Sequence, residues 1–247
     1  MGPLVSVIIP VFNGEAFLLE AVQSVRQALH VLDEKYSDVE IIIVDDGSTD
    51  GTEALVRSLP ETVRYLRQTN KGPAAARNRG IEHAQGSLIA FADADDLWPE
   101  AKLELQLPPL IEDLGIEIVM GRIQQVRLSQ TVDGQTQAAE FAEPAFSVNL
   151  GSALIRKSVF ERVGGFDETM HYSEDVDWFM RAREAGVAIM TIDAVTLFYR
   201  QHDQNMTRGK STSELNVLKA LKKSLDRRRD QTGLAAGLPT FRSRSND

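Results

Sequence analysis

The chain has 247 residues, with 43% hydrophobic and 26% charged positions, no cysteine and a formal net charge of -9. This composition suits one large soluble domain, or one domain with an appendage, and it excludes disulfides and thiolate metal sites. Charge is uneven: Arg208 to Asp247 carries +6 and the remainder -15, so an acidic body argues against nucleic acid as the main substrate. No run of 18 apolar residues occurs, and the apolar start at Leu4 to Ile9 lacks a basic flank. Neither a membrane span nor a signal peptide is therefore expected.

Leu4 to Ile9 reads as a first strand ended by Pro10, with a turn at Val11-Phe12-Asn13-Gly14. From Glu15, Phe17, Leu18, Ala21, Val22, Val25 and Leu29 recur at helical spacing. A second buried strand, Val39 to Val44, runs into Asp45-Asp46-Gly47-Ser48-Thr49-Asp50. Ser48, Thr49 and Asp50 are good caps for a helix from Thr52 to Leu59. Val63 to Arg67 is a third strand, and Asn70-Lys71-Gly72-Pro73 opens an alanine-rich helix. Next comes Leu88-Ile89-Ala90-Phe91-Ala92, a strand with the length and flanks of one buried on both faces, ending in Asp93, Asp95 and Asp96. Alternating strands and helices predict an α/β fold, a doubly wound and mostly parallel sheet with helices on both faces.

Beyond residue 98 the pattern loosens. A helix from Pro99 to about Leu107 should be broken by Pro108-Pro109, with a strand pair or one long strand over Ile116 to Leu128. Ser129 to Pro144 reads as a hairpin tip or mobile loop. A strand over Ala145 to Ile155 and a helix over Lys157 to Val163 should follow. Ser173 can then cap a helix bearing Glu174, Asp175 and Asp177 in its first turn, ahead of strands at Val187 to Thr191 and Val195 to Tyr199.

Two strands that end in carboxylates place negative charge at the carboxyl edge of the sheet, where ligands of open α/β sheets bind. Oxygen donors at the spacing of Asp93, Asp95 and Asp96 suit a hard divalent cation, which could hold a diphosphate. Taken alone, such acids also serve as helix caps.

The ordered segments Ser6 to Asn13, Val44 to Asp50, Gly72 to Asn78, Asp93 to Asp96, Gly164 to Glu168 and Glu174 to Asp177 resemble the family-2 glycosyltransferases of the GT-A fold. The resemblance spans residues 4 to 208. It implies a Rossmann-like sheet with a smaller acceptor-side subregion: a nucleotide-sugar half at 1–98, an acceptor half at 99–208, and outside them a basic tail at 209–247, helical or partly disordered and solvated. It implies an inverting, non-processive enzyme that uses Mn2+ or Mg2+ to move one sugar from a nucleotide-diphosphate donor, UDP being favoured, to a hydroxyl of a saccharide, lipid-linked or protein acceptor in glycan or polysaccharide synthesis. Carried over by position, Pro10, Val11 and Phe12 would line the base pocket and Asp46 would accept from the base; Phe12 stands where the family often has Tyr. Arg77 would lie near the base or diphosphate, Asp93 would contact ribose or a metal-bound water, and Asp95 would ligate the metal with Asp96 assisting. Asp175 would be the catalytic base beside Glu174, with His202 near the diphosphate or metal. Asn149 to Ser152 and Phe166 to Tyr172 would face the acceptor. Processive relatives carry a Gln-x-x-Arg-Trp motif and membrane spans, and neither occurs here.

Two alternatives compete: a binding module that keeps the nucleotide pocket without turnover, and a sugar-nucleotide pyrophosphorylase. The second wants a Gly-rich basic loop after strand one, where this chain has Val11-Phe12-Asn13-Gly14-Glu15. The absence of cysteine fits a cytoplasmic protein, with the basic tail as a peripheral contact at the inner face of the membrane.

Overall fold

The computed structural model describes residues 5–30, 39–60, 62–128, 138–203, 205–206, 208–211, 214–232 and 242–244. Residues 129–137 of the expected hairpin tip, and 233–241 and 245–247 of the basic tail, lie outside them.

Four parallel strands form the amino-terminal half: β1 (Val5–Val11), β2 (Val39–Asp45), β3 (Val63–Arg67) and β4 (Leu88–Phe91), in the spatial order β3-β2-β1-β4. Each of the first three is followed by a helix: α1 (Leu18–His30), α2 (Thr52–Ser58) and α3 (Pro73–His83). The alternation of β1 explains its place. Val5, Val7, Ile9 and Val11 point into a core shared with Leu18, Val22 and Val25 of α1, while Ile8 joins the opposite core with Ala74 and Ala76 of α3. Strand order reverses between β1 and β4, so the turns after these two strands flank the crevice in which doubly wound sheets bind ligands.

Pro10 lies inside β1 and does not end it. Ile8 accepts the Ala92 N–H on the β4 side and Val11 accepts the Asp46 N–H on the β2 side. Alternate residues face the same neighbour, so Pro10 faces β4, where its missing N–H stops the ladder at Ile8 and Phe91 while pairing with β2 continues through Val11.

The second half extends the same sheet through β5 (Ile118–Leu128), β6 (Ala138–Glu140), β7 (Ala153–Arg156), β8 (Ile189–Gln201) and β9 (Arg242–Arg244), ordered β4-β7-β5-β8-β9 with β6 on the end of β5. β7 is antiparallel to both neighbours and β5 runs parallel to β8. Four helices complete the fold: α4 (Lys102–Glu112), α5 (Lys157–Val163), α6 (Glu174–Glu184) and α7 (Val217–Thr232).

Several expectations are corrected here. Pro108 and Pro109 sit within α4; the carbonyls that lose donors are those of Glu104 and Leu105, both exposed, while Leu103, Leu107 and Leu110 anchor the opposite face. The two late strands are one strand, β8, whose pairing with β5 slips at Gly121. A Cβ there would lie 2.6 Å from the Ala194 carbonyl oxygen, so the slip needs glycine. The strand expected from Ala145 is only Ala153–Arg156, preceded by a 3-10 turn at Leu150–Ser152. Ser173 does not cap α6; it adopts a left-handed conformation and its hydroxyl donates to the Leu215 carbonyl. The basic tail is not simply solvated, because α7 packs on α6 with Ala220 and Ser224 buried.

Candidate active site

The turns after β1 and β2 are laced together. Asn13, at a φ of 53°, donates its N–H to Ser48 Oγ (2.9 Å) and accepts the Thr49 N–H on Oδ1 (2.8 Å), while Gly14 N–H reaches Thr52 Oγ1 (2.9 Å). Asp50 accepts the N–H groups of Thr52 and Glu15, and the N-cap of α2 is Gly51 rather than Ser48, Thr49 or Asp50. This lacing leaves Phe12 51% exposed and Pro10 half-buried at the crevice. Val11 is the exception to the expected base pocket: its side chain packs in the core, which leaves only its backbone to line a ligand.

Asp46 is buried and holds the segment leading into α3. It accepts Gln68 Nε2 (2.8 Å), the Lys71 N–H (2.9 Å) and the Gly72 N–H (2.7 Å). A carboxylate offers about four acceptor sites, so one is left for a base N–H. Gly72, at a φ of 92°, makes the left-handed turn that starts the helix.

Arg77, one turn into α3, joins motifs distant in sequence. Its Nη2 donates to Asp93 (2.7 Å) and its Nη1 to Glu174. Burial would lower the guanidinium, yet the charges of Asp93 and Glu174 outweigh it and hold Arg77 above its ordinary value. Buried and paired through both Nη atoms with two carboxylates, Arg77 ties the acid loop to the start of α6, and its Nε has no acceptor among the described residues.

The three acids after β4 divide their work. Asp95 is partly exposed and meets His202 Nε2 (3.1 Å) and Asn205 Nδ2 (3.3 Å). Burial and the neighbouring Asp93 push its carboxyl up. Asp96 is buried, with one oxygen on the Arg200 N–H (2.9 Å) and the other without a donor. Burial, then the charges of Asp95 and Asp93, push it well above the usual range. Asp96 therefore anchors the loop to β8, and Asp95 presents its carboxylate outward; the two are not equivalent ligands. His202 is held by stacking on Phe17, ring centroids 4.2 Å apart.

Mutual repulsion among these acids, together with an oxygen lacking a donor, is the chemistry a divalent cation relieves. Among the described residues no three His, Asp or Glu side chains converge as a ready-made cage. Magnesium-like ions commonly complete their shell from water and substrate phosphates around one or two carboxylates, so this donor set fits.

Asp175 stands one residue past Glu174 at the start of α6, with Oδ1 accepting the Val176 N–H (2.7 Å). Burial and the charge of Glu174 raise its carboxyl to about 6, against the opposing pull of Arg77. It is ionised at neutral pH yet basic enough to take a proton in a transition state. The loop leading into this helix is held by Asn78, which accepts the Phe166 N–H (2.7 Å) and donates to the Phe166 carbonyl and Glu168 (both 2.9 Å). Trp178 Nε1 holds the Gly164 carbonyl (2.9 Å).

The expected acceptor segments are revised. Leu150, Gly151 and Ser152 are buried, and the Gly151 carbonyl accepts from the buried Lys102 Nζ (2.8 Å). In the other segment only Phe166 and Met170 are buried, while Glu168, Thr169 and His171 are exposed, so this loop keeps a surface open to a ligand. Sequence reasoning missed Arg200, Asn205 and the positioning work of Asn78. Fully buried Arg200 donates to the Asp95 carbonyl and Glu20, and its guanidinium lies 5.2 Å from the Phe17 ring centroid. An arginine directly after the apolar run Val195-Thr196-Leu197-Phe198-Tyr199 was the available signal, since a charge drawn into the fold there must be paired.

The family model described as "Glycosyl transferase family 2" matches residues 6–172. The chain belongs to that family. An uncharacterized glycosyltransferase of Rickettsia typhi is 30% identical over 206 residues, 75% of this chain and 61% of that protein. A putative teichuronic acid biosynthesis glycosyltransferase of Bacillus subtilis, TuaG, is 43% identical over 115 residues, 44% of this chain and 43% of the relative. The chain thus spans less than two thirds of the length of these relatives. The structure of S. aureus TarS 1-349 in complex with UDP-GlcNAc superposes with a TM-score of 0.71 at 18% identity, covering 93% of this chain and 67% of that one. This likeness bears out the GT-A type α/β fold.

Proposed function

We propose that this chain transfers a single sugar, with inversion, from a nucleotide-diphosphate sugar to an acceptor hydroxyl in glycan or polysaccharide synthesis. The observation that carries the reading is Arg77 bridging Asp93 and Glu174, which sets a carboxylate raised to about 6, Asp175, beside the acid-ended strand. Asp175 accepts the acceptor proton as oxygen bonds to the anomeric carbon and the bond from that carbon to the diphosphate oxygen breaks on the opposite face. Asp46 and the loop it holds, with Pro10 and Phe12, take the base; family membership and the likeness to a protein solved with UDP-GlcNAc favour UDP. Asp95, with His202 beside it and Asp96 anchoring the loop, would hold Mn2+ or Mg2+. Such an ion supplies Lewis-acid stabilisation of the leaving diphosphate. The chain's own part is to hold Asp95 outward through Arg200 and Asn205, and to fix the base through Arg77 and Asn78.

Thermal unfolding with UDP, dTDP, GDP and their sugar conjugates, each with and without Mn2+, tests this. Donor at about a hundred times its dissociation constant adds roughly 2.7 kcal/mol to the folded state. The shift is expected with a UDP-sugar, dependent on the ion and lost in Asp95→Ala. No shift with any donor would overturn this reading, while a shift without sugar transfer would favour a binding module without turnover.

A further inference from the structure

The helix α7 has two unlike faces. Its inner face is spent on α6: Ala220 and Ser224 are buried, Arg227 pairs with Asp177 (3.0 Å) and Glu184 (2.6 Å), and Lys223 pairs with Asp167. Its outer face is a stripe of leucines, Leu218, Leu221 and Leu225, exposed by 63%, 39% and 37%. Their spacing of three and four residues puts them on one side of the helix. Exposed Lys219, Lys222 and Arg229 border the stripe. The helix carries six Lys and Arg against two Asp, on a chain whose net charge is -9.

We infer that this outer face docks on an anionic lipid bilayer. The leucines enter the boundary between headgroups and acyl chains, while the basic border is attracted to the headgroups. The acidic body is repelled, so the protein settles with α7 toward the lipid. Among the described residues no helix is long and apolar enough to cross a membrane, so the contact is peripheral. A second copy fits this face poorly. A twofold contact would set one strongly basic helix against its equal. Three leucines also offer on the order of a few hundred Å² of apolar surface, short of the roughly 800 Å² per partner of a standard interface. The stripe lacks the aromatic anchors that enrich interface cores.

Flotation of the full chain with lipid vesicles tests the inference. At ~0.1 M salt, partition onto vesicles about one-third phosphatidylglycerol should exceed partition onto pure phosphatidylcholine at least about tenfold, and should fall as salt screens the charges. Two triple variants, L218S/L221S/L225S and K219E/K222E/R229E, should each lose at least about tenfold in that partition while keeping the wild-type circular dichroism. Failure of the wild-type chain to bind the anionic vesicles, equal binding to neutral ones, or unchanged binding by both triple variants overturns the assignment. So does a wild-type dimer in sedimentation velocity that the leucine variant converts to monomer, which would mark the face as a contact between copies.

Discussion

Asp175 illustrates how a residue's setting decides its chemistry. A carboxyl raised to about 6 is disfavoured in its ionised form by the fold. The native state therefore binds more protons than the unfolded chain between about pH 4 and 6, and the charge costs stability above that window. Asp175→Asn should abolish transfer while leaving donor binding intact. It should also raise neutral-pH stability by about 1–3 kcal/mol, the scale of a two-unit shift discounted for partial exposure. Both are read from activity and thermal unfolding on one preparation. In the wild type the rate should rise through a single ionisation near pH 6; a flat profile across that range, or transfer by the asparagine variant, would remove the base assignment.

At the scale of elements, α3 is the lever that brings the site together, because it carries both Arg77 and Asn78 and lies directly on β1. Gly80 permits that approach: a Cβ there would sit 2.3 Å from Ile8 Cγ2, and Ile8 is fully buried between paired strands. Gly80→Ala gains about 1 kcal/mol of helix propensity but overpacks a site that cannot yield, at a cost of about 1–3 kcal/mol. Overpacking should win, lowering the midpoint of unfolding by a few degrees. Lost transfer should accompany it, since α3 displaced from β1 carries Arg77 away from Asp93 and Glu174. A stabilised, fully active variant would show that the helix can lift without consequence.

Across the whole molecule, the basic helix α7 is fastened to the carboxyl-terminal half by pairing with acids on α6, the helix that carries Asp175. Arg227→Ala leaves Glu184 without its cation, while Asp177 keeps Arg181 at 2.9 Å. The expected cost is about 2–3 kcal/mol, below that of a fully buried pair because Arg227 is partly exposed. Urea unfolding measures it, and hydrogen exchange should show α7 amides losing protection before those of β1. Loss of protection in β1 first would place α7 inside the central cooperative unit.

How much was legible in the sequence follows from the range of the forces involved. Strands β1, β2 and β4 could be read from apolar runs, because burial on two faces imposes a local apolar pattern, and α1 from its helical spacing, whereas α2 and α3 were read from capping residues, Pro73 and the alanines after it. The roles of Asp46, Asp95 and Asp175 were suggested by motifs whose spacing lies within single turns. The division of labour between Asp95 and Asp96, the capture of Arg77 by Asp93 and Glu174, and the anchoring by Arg200 were not, since they depend on groups as many as 180 positions apart. The same holds for α4 running through two prolines and for α7 seated on α6. Sequence by itself determined which segments must be buried and which strand ends carry acid. Only the tertiary structure decided which charges meet, because pairing is set by distance in space and burial makes an unpaired charge too costly to leave.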